Sequence, residues 1–142
     1  MFAGFWPTAP ADDPIATRFN TVPKYVASHT LTDPDWAGTT VLTNVGTEVR
    51  EIRERYDETH VIGSGGLLQT LLTEDLVDRL NLWLYPVTFG RGKRIFRDGT
   101  VPSAFAVAQP PRAFPKGAIW LVYQRAGDVV LGVDIEAARK ET

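Results

Sequence analysis

A glycine-rich turn between two apolar segments is the stretch of this sequence best suited to chemistry. Gly63-Ser64-Gly65-Gly66 follows the short run His60–Ile62 and precedes leucines at 67, 68, 71 and 72. These leucines recur on one side of a 3.6-residue helix, so the pattern predicts a strand, a tight turn and a helix. The glycines allow positive φ and close approach of a ligand, and the helix N-terminus adds free N–H groups and partial positive charge. The turn is therefore a candidate phosphate site, to which Ser64 adds a hydroxyl.

Two common phosphate fingerprints do not fit this turn. The Rossmann pattern requires a third glycine where Leu68 stands, and the P-loop requires Ser or Thr after a Gly-Lys pair, whereas Arg94 follows Gly92-Lys93. Short glycine motifs are weak indicators by themselves. A tight strand-to-helix connection that binds nothing is therefore an equally acceptable interpretation at this point.

Two other loops carry polar and basic side chains. Ser28-His29-Thr30 follows the apolar run Lys24–Ala27, and the glycine-punctuated basic loop Gly90–Arg94 follows the apolar run Leu80–Phe89. Ligands of open α/β sheets sit beyond the carboxyl ends of the strands. Convergence of these two loops with the glycine turn would make a site for an anionic small molecule.

The sequence pattern also predicts the helices and strands that must position these loops. Asp13-Pro14 predicts a helix start, and Asn44 predicts the cap of a helix with apolar residues at 45, 49, 52 and 56. Strands are expected at 24–28, which should be buried, at 39–43, at 61–62 and at 80–89, the last buried on both faces. Residues 104–109 and 118–125 are expected to form an antiparallel hairpin, and residues 134–142 a charged helical tail. This order is typical of a three-layer α/β fold with a mixed, mostly parallel sheet.

Composition limits the function classes. The 142 residues are 44% hydrophobic and 23% charged, with a net charge of −2, which suits one globular domain over residues 1–142 and gives no basic footprint for nucleic acid. Without cysteine, and with only two histidines, the sequence predicts no disulfide and no metal site. No apolar stretch reaches the length of a membrane helix and no signal peptide is recognisable. A cytoplasmic protein without membrane contacts is expected.

Several blocks resemble the dihydrofolate-reductase-like family, and most closely the reductase domain of the bifunctional riboflavin-biosynthesis deaminase–reductase. The similarity runs over nearly the whole chain. It is carried by Lys24–Leu31 with Asp35-Trp36, by Val61–Gly65, by Leu76–Leu80 and by Pro86–Phe96.

The resemblance implies an NADPH-dependent reductase acting on a pterin or on a 5-amino-6-(5-phosphoribosylamino)uracil-like riboflavin precursor. It also implies a homodimer. Matching the family residue by residue, Gly63, Ser64, Gly65 and Gly66, with Leu67, would hold the cofactor pyrophosphate. Ser28, His29 and Thr30 match the loop that contacts the adenosine 2′-phosphate. Arg91 and Lys93 would hold a substrate phosphate or, equally acceptably, lie in a solvated loop, while Asp78 and Arg79 are expected to form a structural salt bridge.

Relatives begin with a central strand and a helix that have no counterpart before Met1, so the resemblance implies an N-terminally incomplete domain, and no catalytic residue is assigned. The aromatic Phe2, Phe5 and Trp6 favour burial between subunits. Two alternatives remain open. One is a nucleotide-binding or oligomeric remnant that has lost turnover, and the other is a phosphate-metabolite scaffold without nicotinamide preference.

Overall fold

The computed structural model describes residues 2–130, and the predicted tail at 134–142 lies outside them. The chain divides into two compact units, one ending at Val61 and the other beginning at Ile62. The first unit holds α1 (Pro14–Thr21), β1 (Lys24–Ala27), β2 (Thr39–Leu42) and α2 (Val45–Arg55), and the second holds α3 (Gly65–Thr73), β3 (Arg79–Leu84), β4 (Phe105–Val107), β5 (Arg112–Ala113) and β6 (Ile119–Arg125).

Both helices of the first unit begin where the sequence predicts. The Asp13 carboxylate accepts hydrogen bonds from the N–H groups of Ile15 and Ala16 at 2.7 and 3.1 Å, with Pro14 in the first turn. The Asn44 side chain accepts from Thr47 N–H at 3.4 Å. These short-range caps satisfy donors that a helix cannot pair internally, which is why local sequence determines both starts.

Lys24 joins the end of α1 to the start of β1. Its Nζ donates to the carbonyl oxygens of Phe19 and Val22 at 3.0 and 2.9 Å, and lies 4.7 Å from the centre of the Trp36 ring. A cation at a helix C-terminus is favourable because the carbonyl ends carry partial negative charge. Burial lowers the pKa of the Lys24 ammonium from its usual value.

The aromatic N-terminal residues pack within their own unit. Trp6, in a 3-10 helix at Trp6–Thr8, lies 4.8 Å from the Phe19 ring of α1, and Phe2 lies 5.6 Å from the same ring. Phe5 keeps 59% of its surface exposed. The predicted burial of this cluster between subunits stays a prediction.

The second unit is built on β6, the central strand of a four-stranded antiparallel sheet. β3 and β4 flank it and β5 also pairs with it, so the strand order is β3-β6-β4. The helix α3 ends in a turn in which Asp75 adopts φ 51° and Leu76 N–H bonds to Leu71 O at 2.8 Å. This is a Schellman motif in which aspartate occupies the usual glycine position. The Asp75 carboxylate also accepts from Arg125 Nε of β6 at 2.8 Å, and this hydrogen bond raises the pKa of the Arg125 guanidinium.

The predicted mixed α/β fold is confirmed, with one parallel pair (β1 with β2) and antiparallel pairing throughout the other sheet in the described part of the chain. The predicted antiparallel hairpin is confirmed in the pairing of β4 with β6. The core is small. Ala16, Leu42 and Ile52 are buried in the first unit, and Leu71, Leu72, Leu80 and Val122 in the second. The three-layer arrangement and the single-domain organisation over residues 1–142 stay predictions.

Three local expectations were wrong. The segment Val61-Ile62 forms no strand, because within residues 2–130 no neighbouring backbone pairs with it, and its side chains are exposed. The strand expected at 24–28 forms, but Val26 and Ala27 are exposed because the described part gives it only one neighbouring strand.

The third wrong expectation is the long buried strand at 80–89. β3 ends at Leu84, since Pro86 has no N–H for a ladder and Val87 N–H turns back to Tyr85 O at 2.8 Å. Leu84 and Phe89 are 57% and 84% exposed, so this segment is not buried on both faces.

Candidate functional site

The glycine turn forms an open helix mouth. Gly63 and Ser64 both adopt left-handed backbone conformations, with φ 72° and 52°, and α3 begins at Gly65. The first helical hydrogen bond runs from Leu68 N–H to Ser64 O at 3.0 Å. The N–H groups of the three residues between them precede that bond and are available to a ligand. The Ser64 side chain makes no capping bond, so its hydroxyl is also available.

The space in front of this mouth is open. A Cβ placed on Gly63 or on Gly66 would meet no atom within 4 Å, whereas a Cβ on Gly65 would lie 3.6 Å from Arg97 Nη2. The mouth therefore has room for a group larger than a side-chain carbon, and one guanidinium stands beside it. Sequence reasoning missed Arg97.

A hydrogen-bond clamp holds the Arg97 segment against α3. Gln69 Nε2 donates to Ile95 O at 2.7 Å, and Thr100 Oγ1 donates to Gln69 Oε1 at 2.6 Å. Thr100 Oγ1 also accepts from Arg97 N–H at 2.9 Å. One glutamine side chain thus ties the loop after β3 to the first turns of the helix. No spacing rule in the sequence connects residue 69 with residues 95–100, so pattern could not have found this contact.

Arg97 and the helix end carry charge of the same sign. The N-terminus of α3 bears about half a positive charge, which disfavours a nearby cation. Within residues 2–130 the guanidinium of Arg97 has no carboxylate partner, in contrast to Arg94, which lies 4.0 Å from Asp98. An anion between Arg97 and the helix mouth would remove this repulsion and satisfy both groups. The arrangement is suited to a phosphate or diphosphate.

The Ser28 loop is held by its own backbone. Ser28 Oγ accepts from the N–H groups of Thr30 and Leu31 at 3.2 and 3.0 Å. Such local bonding at a strand end is a common role of serine. Ser28 Oγ also lies 3.5 Å from Thr30 Oγ1, and the side chains of His29 and Thr30 are exposed. This loop lies in the first unit and the helix mouth in the second, so their predicted convergence stays a prediction.

The remaining predicted residues lie on the surface of the second unit. Arg91 and Lys93 are exposed in an irregular loop. Leu67 is half-buried on α3. Arg79 Nε donates to Gln124 Oε1 at 3.3 Å, and the structural salt bridge expected for Asp78 stays a prediction.

Residues 2–130 hold neither a candidate metal site nor a candidate membrane-spanning helix. They contain no cluster of three or more metal-ligating side chains. None of the helices described there is long and apolar enough to cross a membrane.

Comparison with known proteins identifies the family. The profile of the RibD C-terminal domain matches residues 1–112, which is most of the sequence. The chain belongs to the RibD C-terminal domain family. The glycine turn, α3 and the clamp of Gln69, Ile95 and Thr100 all lie inside the matched region, whereas β6 follows it.

A solved structure supports the fold of this family member. The crystal structure of a protein from Shewanella sp. PV-4, provisionally assigned to riboflavin biosynthesis, superposes with a TM-score of 0.61 at 21% sequence identity. The match covers 75% of this chain and 62% of the Shewanella protein, so the chain spans less than two thirds of that relative. At this identity the likeness concerns the fold. No curated protein matches the sequence.

Proposed function

We propose that this RibD C-terminal domain is an NADPH-dependent reductase acting on a pterin or on a 5-amino-6-(5-phosphoribosylamino)uracil-like riboflavin precursor. The observation that carries the proposal is the open mouth of α3, where unpaired N–H groups and the free Ser64 hydroxyl face open space and the Arg97 guanidinium lies beside Gly65. Membership of the family supports the reaction class. The proposal retains the homodimer and the cytoplasmic location expected from the sequence.

The proposed roles follow from the chemistry of each group. The amides of Gly65, Gly66 and Leu67 would donate to the cofactor pyrophosphate, and Arg97 would neutralise part of its charge. Ser28, His29 and Thr30 would recognise the adenosine 2′-phosphate by hydrogen bonding. Arg91 and Lys93 would bind a phosphate on the substrate. When bound, NADPH supplies the hydride, and the protein residues bind and orient it.

Glycine at positions 65 and 66 supports the proposed cofactor site sterically as well as electrostatically. A Cβ at Gly66 would project into the free volume, and a Cβ at Gly65 would contact Arg97 Nη2 at 3.6 Å. Larger side chains at these two positions would therefore compete with a diphosphate for the same space. The fit does not depend on the Ser28 loop, which belongs to the other compact unit.

The alternative is a nucleotide-binding or oligomeric remnant without turnover. It is favoured by one observation: the segment Val61-Ile62, which leads into the glycine turn, pairs with no strand within residues 2–130. A reductase site needs the cofactor and the substrate on a common framework, because hydride transfer requires the two reacting atoms in close contact.

Calorimetric titration with NADPH, NADH and inorganic pyrophosphate tests the binding site. Arg97→Gln should weaken NADPH binding about tenfold or more, because a hydrogen bond to a charged group contributes about 1.5–3 kcal/mol. The matched control Arg94→Gln removes a cation of the same loop and should leave the affinity almost unchanged. Equal effects of both variants, or no binding of NADPH by the wild type, would remove the proposal.

Oxidation of NADPH, followed with the riboflavin precursor and with dihydropterin, separates the two functions. Turnover with either substrate supports the reductase, and binding of NADPH without turnover supports the remnant. Equal binding of pyrophosphate and NADPH would point to the simple phosphate scaffold.

A further inference from the structure

The segment that presents Arg97 is a long loop with a polar anchor. Between the end of β3 at Leu84 and the start of β4 at Phe105, the described chain forms no helix or strand, and residues 91–99 are all exposed. Irregular loops of this length are usually either disordered or held in place for a function. Little apolar burial is available to fix this loop, so its hydrogen bonds determine where Arg97 stands.

A tight turn fixes the backbone of Arg97. Thr100 N–H donates to Arg97 O at 3.0 Å, and Thr100 Oγ1 accepts from Arg97 N–H at 2.9 Å. Both backbone groups of the arginine are therefore held by the same threonine. Gly99, inside the turn, has φ 83°, which glycine adopts without strain. Arg97 is thus the first residue of a closed four-residue turn, and its side chain is the part that can reach a ligand.

The Gln69 carboxamide fastens this turn to α3 in a defined orientation. A carbonyl oxygen can only accept, so the group that faces Ile95 O at 2.7 Å must be Nε2, and Oε1 then faces Thr100 Oγ1 at 2.6 Å. The Thr100 hydroxyl has one proton, and Arg97 O, 2.7 Å away, already accepts from Thr100 N–H. That proton is therefore available to Gln69 Oε1. The hydrogen bonds run as one continuous chain from Arg97 N–H to the Ile95 carbonyl.

Helical spacing places this anchor one turn below the candidate anion site. Gly65 and Gln69 are four residues apart on α3, so they lie on the same face of the helix. A Cβ on Gly65 would lie 3.6 Å from Arg97 Nη2, so the guanidinium stands over the first turn while its backbone is tied to the second. A glutamine one position earlier or later would point about 100° away around the helix and could not hold the turn there.

We propose that Gln69 and Thr100 are positioning residues for anion binding. Through this hydrogen-bond chain they hold Arg97 at the mouth of α3 in the free protein, so that a diphosphate binds without first having to order the loop. Such preorganisation raises affinity because the entropy of ordering the loop is lost on folding rather than on binding. This role rests on the proposed cofactor site and adds to it two residues that need not contact the ligand.

A double-mutant cycle distinguishes positioning from a purely structural tie. Thr100→Val removes the hydroxyl at constant size, and Gln69→Met removes both hydrogen-bonding atoms while keeping a good helix former. Each should weaken binding of inorganic pyrophosphate and of NADPH about two- to tenfold in calorimetric titration, the range expected when a side chain must be ordered on binding. In an Arg97→Gln background the same substitutions should have almost no further effect, because the group that they position is gone. Thr100→Ser keeps the hydroxyl and should bind as wild type does.

Thr73→Val is the matched control for this cycle. The Thr73 hydroxyl donates to Gln69 O at 2.9 Å within α3 and takes no part in the chain to Arg97, so its removal should leave the affinity unchanged. Circular dichroism verifies that each variant is folded. Equal losses in the wild-type and Arg97→Gln backgrounds, or wild-type affinity in both Thr100→Val and Gln69→Met, overturn the positioning role and leave the proposed cofactor site standing. A wild type that binds neither pyrophosphate nor NADPH overturns the cofactor site and the positioning role together.

NMR relaxation of backbone amides in the free protein gives a readout that needs no ligand. The Arg97 amide of wild type should be rigid, with an order parameter of about 0.85, and in Thr100→Val and Gln69→Met it should fall toward about 0.6. Thr73→Val should match wild type. A flexible Arg97 amide in wild type, or one that is equally rigid in both clamp variants, overturns the proposal.

Discussion

The left-handed conformation of Ser64 gives a prediction that separates backbone strain from ligand chemistry. Residues with a Cβ pay about 1–2 kcal/mol to adopt this conformation, whereas glycine adopts it freely. Ser64→Gly removes that cost but makes the unfolded chain more flexible, which returns about 0.4–1 kcal/mol. We expect a net gain of about 0.5–1 kcal/mol in the free energy of unfolding.

A matched variant isolates the hydroxyl. Ser64→Ala keeps the backbone strain and removes only the oxygen, which makes no capping hydrogen bond. Its stability should therefore stay within about 0.5 kcal/mol of wild type, whereas a serine that truly caps a helix loses about 1 kcal/mol on change to alanine. If the hydroxyl binds the cofactor pyrophosphate, Ser64→Ala should weaken NADPH binding and Ser64→Gly should weaken it similarly.

Urea denaturation followed by circular dichroism measures these differences, with calorimetric titration reporting cofactor affinity. A gain near 1 kcal/mol corresponds to about 2–4 °C in the thermal midpoint for a chain of this length. A Ser64→Gly variant less stable than wild type would refute the strain argument. A loss of about 1 kcal/mol in Ser64→Ala would show that the serine caps α3 after all.

Two further predictions concern the first unit. Lys24→Met should lower the free energy of unfolding, measured in urea, by about 1–2 kcal/mol, because the carbonyl groups at the end of α1 lose their cationic donor. Lys24→Arg should retain much of the wild-type stability. The pKa of Tyr25 is raised above 10.0, first by its hydrogen bond with the Tyr56 hydroxyl at 3.2 Å. As pH rises, Tyr25 ionises at a lower pH in the unfolded chain than in the folded chain. The contribution of the protonated, hydrogen-bonded Tyr25 to stability is therefore full below pH 10 and is lost as pH rises through the higher folded pKa. Tyr25→Phe should make denaturation midpoints less dependent on pH in that alkaline range, whereas the control Tyr85→Phe should behave as wild type.

Local chemistry made parts of the fold predictable. Asp13 with Pro14 and Asn44 with Thr47 each specify a helix start within four consecutive residues, and the structure confirms both. No pattern in the sequence, by contrast, signals that Asp75 takes the left-handed position at the end of α3. Elements whose ends depend on capping or on proline need no information from the rest of the chain.

Strand predictions depended on distant neighbours and were less successful. Val61-Ile62 has the composition of a strand, but composition cannot supply the paired backbone that makes one. The antiparallel pairing of β3 with β6 joins residues about forty positions apart, as the register Leu80–Tyr123 illustrates. Pro86 did carry a readable signal, because a residue without an N–H ends a ladder, and greater weight on it would have shortened the expected strand.

The candidate site combines both kinds of information. The glycine turn is evident in sequence, but an open turn that leads into a helix is equally consistent with a connection that binds nothing. Arg97 favours the interpretation as an anion site, because Gln69 holds its segment where a cation faces the positive end of α3. Without an anion this placement is electrostatically unfavourable, and a loop free to move would relieve it. A negatively charged group between Arg97 and the N-terminus of α3 would complete this arrangement, which is why we propose a diphosphate there.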